Sequence, residues 1–141
     1  MAEIDPRFKI GIPEMDAQHA RWIEIIERFR ATAADRLLEP EGHAAAVAAL
    51  NDLIDYTRRH FSSEEKMLAA HAYPKFAEHC AVHRAIERQL AGMHEDLLTQ
   101  KTRRLSLKLN LFATIWLFEH IMGEDADYAN FLNRRGVAVS A

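Results

Sequence analysis

HCAVH, residues 79–83, puts two imidazoles four positions apart, and HFSSEE, residues 60–65, repeats that step with His60 and Glu64. An α-helix turns once in about 3.6 residues, so side chains four apart stand on one face, one above the other. Two such pairs in separate segments can converge on one ion or one pair of ions. Outward from them lie His19 on one side and His120 with Asp125 on the other. Five imidazoles and two carboxylates, spread over four segments, are the donor set expected when each helix of a bundle supplies part of a shared core site. One ion needs fewer donors than that. Two metals bridged by the carboxylates fit the inventory better.

The segments around these residues read as an all-α chain, an up-down-up-down four-helix bundle with an irregular N-terminal arm. With 141 residues, 49% of them hydrophobic, the chain can bury a real core but is short for two domains. We expect one domain over 1–141, divided into an arm (1–15), a bundle (16–135) and a tail (136–141). Gly11, Ile12 and Pro13 mark a turn, with Asp16 as the N-cap of a first helix running from Ala17 to Ala34. Its inward stripe is His19, Trp22, Ile23, Ile26 and Phe29. Leu38 to Gly42, containing Pro40, reads as a connection.

A second helix from His43 to Ala70 carries Leu50, Leu53, Ile54, Thr57, His60, Phe61, Glu64, Met67 and Leu68 on one broad face, with Asp52, Arg58, Arg59 and Lys66 outside. Tyr73 and Pro74 break the pattern, and a third helix is expected to start at the proline. Its seam is Phe76, His79, His83, Ile86, Leu90, Met93 and Leu97. After the polar stretch from Thr99 to Arg104, a fourth helix carries Leu109, Phe112, Ala113, Trp116, Leu117, His120 and Ile121.

Composition excludes several functions. The net charge is −3, and the short basic cluster Lys101 to Arg104 lacks the interleaved aromatics of a nucleic-acid surface. No apolar run is long enough to span a bilayer, and the first residues lack a signal-peptide core, so a cytoplasmic protein without membrane insertion is expected. Cys80 is the sole cysteine, which rules out an intrachain disulfide, a Cys-based zinc site and an iron–sulfur cluster within one chain. Any metal must therefore use nitrogen and oxygen donors. His43, His71 and His94 are assigned to surface or helix-end positions.

Each ligand candidate has a plainer reading. His19 alone could be a core histidine, and His60 with Glu64 a hydrogen-bonded pair. A lone carboxylate on a buried face is costly unless paired or bound to a metal. Glu65 beside it is read as facing solvent. His79 and His83 on one inward stripe would crowd each other without a cation. His120 and Asp125 are harder to reconcile, because five residues of regular helix leave their side chains roughly 140° apart. A local widening near Gly123, such as a π-bulge, would bring Asp125 round. Otherwise Glu124 is the ligand, or Asp125 a cap.

Taken together, GIPEMDAQH ending at His19, HFSSEE from His60, HCAVH from His79 and WLFEHIMGED ending at Asp125 resemble the hemerythrin-like family, in particular its single-domain bacterial members. The resemblance runs from Gly11 to about Leu132, and the five-residue step from His120 to Asp125 is the family's own. It implies two non-haem iron ions (Fe2+/Fe3+) joined by a bridging oxo or hydroxo group. His79, His83 and His120 would hold one iron, His19 and His60 the other, with Glu64 and Asp125 bridging. The implied function is reversible dioxygen binding for storage, delivery or scavenging, without enzymatic turnover; an oxygen-using enzyme would be the recipient of any delivery.

Residues one turn from the ligands, Trp22, Trp116, Leu117 and Ile121, would wall the dioxygen pocket. Trp22 is bulkier than the aliphatic side chain usual there. The competing functions are a di-iron redox enzyme (peroxidase, oxidase or nitric oxide reductase) and an oxygen or redox sensor. Nowhere does a Glu stand three residues before a His, as in ferritin-like di-iron enzymes. Neither His-Glu-x-x-His nor Cys-x-x-Cys-His is present, which argues against a zinc hydrolase and a covalent haem.

Overall fold

A computed structural model describes residues 9–34, 39–99, 105, 107–109, 111–112, 115 and 119–134. Three long helices come first, α1 (Pro13–Ala34), α2 (Pro40–Ala70) and α3 (Phe76–Thr99). The described residues between 105 and 119 are helical, and they lead into a π-helical turn (His120–Asp125) and α4 (Ala126–Arg134). No strand occurs among the described residues. No helix among them is long and apolar enough to cross a membrane.

The first two helix starts differ from expectation for one reason: proline opens both helices. Pro13 and Pro40 each occupy the first helical position, where a missing N–H costs nothing and the fixed φ suits the helix. Thus α1 begins before Asp16, and α2 begins inside the stretch read as a connection. Asp16 is not the N-cap. It lies one turn inside α1, and its carboxylate accepts the backbone N–H of Ile10 at 2.8 Å and of Gly11 at 3.3 Å. These bonds fold the arm back onto the helix, with Gly11 at φ +85°, a conformation glycine adopts without strain.

At the other end of α2 the chain closes a Schellman turn. Ala72 N–H donates to the Ala69 carbonyl and Tyr73 N–H to the Leu68 carbonyl, with Ala72 at φ +52°. The flanking apolar residues Leu68 and Tyr73 belong to one buried cluster, the hydrophobic contact that accompanies this motif. Pro74 therefore sits in the turn, and α3 starts two residues later than expected, at Phe76.

Two apolar clusters form the core. The larger gathers Trp22, Ile26 and Phe29 of α1, Leu50, Leu53 and Phe61 of α2, Ile86, Leu90 and Leu97 of α3, and Leu105, Leu109 and Ile121. The smaller gathers Ile12, Met15, Leu68, Tyr73, Tyr128 and Leu132. Ile25 is buried in α1 along with Ile26, whereas Ile23 is half-buried, which shifts the inward stripe by one position. His43 ties the start of α2 to the end of α3, its Nε2 lying 2.5 Å from the Leu97 carbonyl, and His71 caps α2.

Of the polar candidates, His19, Glu64, His79, His83 and Asp125 fall between the two clusters along their helices, and His60 and His120 stand at the edge of the larger one. Along α1 the order is Met15, His19, Trp22; along α2 it is Phe61, Glu64, Leu68; the ends of the sequence belong to opposite clusters each time. Along α3 and along the last helical stretch the same alternation continues, with His83 before Ile86 and with Ile121, Asp125, Tyr128. A buried polar layer is thus closed above and below by apolar packing.

Candidate metal centre

Seven side chains meet in that layer, and all seven are buried: His19, His60, Glu64, His79, His83, His120 and Asp125. They fall into two groups that share both carboxylates. Donor atoms of Glu64, His79, His83, His120 and Asp125 lie within 4.8 Å of one another, as do those of His19, His60, Glu64 and Asp125.

The carboxylate oxygens divide between the groups. Glu64 Oε1 lies 2.8 Å from His79 Nε2 and 3.1 Å from His83 Nε2, whereas Oε2 lies 3.3 Å from His60 Nε2 and 3.7 Å from His19 Nε2. Asp125 repeats the division: Oδ1 is 3.3 Å from both His79 and His120 Nε2, and Oδ2 is 3.1 Å from His19 Nε2. Each carboxylate turns one oxygen to the three-histidine group and the other to the two-histidine group.

Asp125 reaches this position through the π-helical turn. Its i→i+5 bonding brings residues five apart onto one face, as i+4 does in a regular helix. The expected widening near Gly123 is what the structure contains. Glu124 points elsewhere, its side chain 40% exposed and 3.9 Å from His120 Nδ1.

Burial and charge set the protonation of the layer. Burial by itself would raise Glu64, but the charge of His60 and the close imidazoles of His19, His60 and His79 hold it well below the usual carboxylate range. Asp125 is likewise lowered, burial and Glu64 acting against it and His120, His19 and His79 for it. Desolvation would lower His19 and His79, but the Asp125 and Glu64 carboxylates close beside them outweigh it and raise both to about 9. His120 is pushed down to about 4, burial prevailing over attraction to Asp125 and Glu64. The two carboxylates are therefore ionised inside the protein.

Several polar atoms of this layer are buried without hydrogen-bond partners: both nitrogens of His19, His60 Nε2, His83 Nε2 and both oxygens of Asp125. Burying such atoms unpaired is costly, and most buried polar groups in proteins are satisfied. Their convergence on common points, with two anionic oxygen donors and imidazole Nε2 atoms, fits divalent or trivalent transition-metal ions.

Further partners were not anticipated from the sequence. His60 Nδ1 donates to Gln18 Oε1 at 2.8 Å, and Gln18 Nε2 in turn donates to Ser63 Oγ. Glu65, expected to face solvent, accepts from His83 Nδ1 at 2.7 Å and from Arg84. Tyr128 OH donates to Glu64 Oε2 at 2.9 Å. The buried carboxylates lift the Tyr128 hydroxyl well above its ordinary range, though burial contributes most. Such partners fix ring orientation and leave Nε2 as the free donor. Tyr128 lies three residues past Asp125, a signal that helical spacing offered. Gln18 and Glu65 flank ligands in sequence, where adjacency gives no hint of facing.

Of the pocket candidates, Trp22 and Ile121 are fully buried beside the layer. The Trp22 ring stands 5.0 Å from that of His60 and 6.2 Å from that of His120. Its Nε1–H donates to Thr57 Oγ1 at 2.9 Å, so the indole is locked in place. Trp116 and Leu117 lie outside the described residues.

An all-helical protein with a buried histidine–carboxylate cluster able to hold metal is the class this arrangement defines. Residues 10–132 match the model of the hemerythrin HHE cation binding domain, and the chain belongs to the hemerythrin family. It is 31% identical over 121 residues to a bacteriohemerythrin of Stenotrophomonas maltophilia, covering 86% of this chain and 74% of that one. A bacteriohemerythrin of Pseudomonas aeruginosa is 28% identical over 120 residues, 85% of this chain and 74% of its own. The myohemerythrin of Riftia pachyptila is 27% identical over 128 residues, 88% of each chain.

Proposed function

We propose that this chain is a single-domain, reversible dioxygen-binding protein with a di-iron centre, built on an up-down-up-down four-helix bundle. The alternation of the two apolar clusters along successive helices supports that topology. The observation that carries the functional reading is the division of the carboxylate oxygens between a three-histidine and a two-histidine group. In this reading His79, His83 and His120 would hold one iron and His19 and His60 the other, with Glu64 and Asp125 shared between the two groups. Two iron ions would supply one electron each for reversible dioxygen binding.

The remaining chemistry belongs to the chain. Tyr128 steadies the Glu64 bridge through the hydrogen bond to Oε2. Gln18 and Glu65 hold the protons of His60 and His83 on Nδ1, leaving Nε2 to face the ions. Trp22 and Ile121, both fully buried beside the layer, would keep water away from it. Binding rather than catalysis is favoured by imidazole-rich ligation, which stabilises ferrous iron relative to a carboxylate-rich site.

The test is iron content with the visible spectrum of the reduced and the air-exposed protein. Two irons per chain, and coloured bands that come with oxygen and go on its removal, are the expected result. Irreversible oxidation would favour a redox enzyme or sensor, and absence of iron would overturn every di-iron reading.

A further inference from the structure

At Nδ1, His60 and His83 do not face the same chemistry. His60 donates to a neutral amide, Gln18, whereas His83 donates to a carboxylate, Glu65. The His83 ring is also held flat, stacked on Phe61 with centroids 3.7 Å apart and planes 2° from parallel. Its orientation is thus fixed on one face by Phe61 and at Nδ1 by Glu65.

Glu65 does not act alone. The Arg84 guanidinium donates to the same oxygen, Oε2, at 2.5 Å and forms a second ion pair with Glu87 at 3.1 Å. The Arg84 side chain is 48% exposed and opens onto a groove of about 520 Å³ between α2 and α3. A continuous chain of charge therefore runs from a fully buried ligand candidate to the surface. A carboxylate accepting an imidazole N–H makes the opposite nitrogen a stronger donor, and a cation on that carboxylate weakens the effect.

We propose that Glu65 is a positioning residue that strengthens His83 as a metal donor, and that Arg84 restrains this effect from the protein surface. The inference rests on the di-iron reading above and adds a direction to it. The three-histidine side gains electron density through His83, while His60 on the other side gains less. Arg84 is the point at which surface charge reaches the centre.

Opposite charges on the two residues give opposite predictions, which a merely structural role does not. Glu65→Gln keeps an acceptor near Nδ1 but removes the negative charge; the midpoint potential of the iron centre rises, and affinity for Zn2+ falls about tenfold. Arg84→Ala leaves Glu65 unrestrained; the midpoint falls, and Zn2+ affinity does not weaken. In the zinc-loaded protein the His83 Nδ1–H proton resonance moves upfield in the first variant and downfield in the second. Arg58 lines the same groove and makes no ion pair with Glu65 among the described residues, so Arg58→Ala controls for through-space charge and leaves the midpoint near wild type.

Iron is counted first. Fewer than two irons per wild-type chain overturns the di-iron reading and this inference with it. Two irons with midpoint shifts of the same sign, or no shift, overturns the inference alone.

Discussion

Helix α2 and the turn at His120–Asp125 each deliver one imidazole and one carboxylate to the buried layer, by different geometry. In α2, His60 and Glu64 stand four apart on a regular helix. In the turn, His120 and Asp125 stand five apart and converge only because the helix widens to i→i+5 bonding. Regular periodicity fixes the first pair locally. The second pair depends on one additional residue being absorbed into the turn, and its facing is a property of the folded helix rather than of spacing.

Removing one residue from each segment separates the two cases most sharply. Deleting Ser62 rotates everything after it in α2 by about 100°, carrying Glu64 and Leu68 out of register with His60. We expect that variant to bind no metal and to unfold, by metal analysis and circular dichroism. Deleting Gly123 leaves His120 and the aspartate four apart on a regular helix, with the residues beyond returning to their former faces. This variant should retain two metals per chain and a cooperative melt. Loss of metal there would mean that the wide turn itself is required, and the comparison as drawn would fail.

Glu64→Ala comes next in size. The carboxylate is fully buried and faces His79, His83, His60 and His19 through its two oxygens. Removing one partner of a buried charged set costs about 3 kcal/mol or more. Most of the metal should be lost and the melting temperature should fall. Full occupancy with unchanged melting would deny Glu64 its bridging role. Tyr128→Phe is a smaller version of the same experiment, since it deletes only the hydroxyl that donates to Glu64 Oε2. A hydrogen bond to a charged group contributes about 1.5–3 kcal/mol, so urea unfolding should shift by that order while metal content is kept.

The same contrast explains how much could be read beforehand. The four-residue steps of HFSSEE and HCAVH exposed their facing directly, because a regular helix converts spacing into direction. The inward stripes of α2 and α3 followed from the same rule, with Ile54 and Met67 only half-buried at the edge of the α2 stripe. Helix starts are less legible at Pro13 and Pro40, where proline reads as a break although it suits the first turn. The side-chain partners of His60 and His83 were missed because they arise across helices, from α1 to α2 and from α2 to α3. Glu65 is the instructive case. Its neighbour Glu64 points into the layer, so helical rotation suggests solvent; the close approach of α3 brings His83 and Arg84 to it instead.

The smallest effect tests how α2 is brought to its end, just past His60 and Glu64. Two residues hold positive φ among those described, Gly11 at +85° and Ala72 at +52°. Gly11 suits its conformation, whereas Ala72 occupies the position of the Schellman turn that glycine usually takes. A side chain there crowds the following carbonyl, at a cost of about 1–2 kcal/mol. Ala72→Gly relieves that crowding but gives the unfolded chain more freedom, which offsets part of the gain. We expect a net stabilisation of about 0.5–1 kcal/mol in urea unfolding, with metal content unchanged. The sign is informative. A destabilised variant would mean that the turn between α2 and α3 is held by Leu68 packing on Tyr73 so tightly that backbone strain at Ala72 is negligible, and the register of His79 and His83 would then owe more to that packing than to the helix cap.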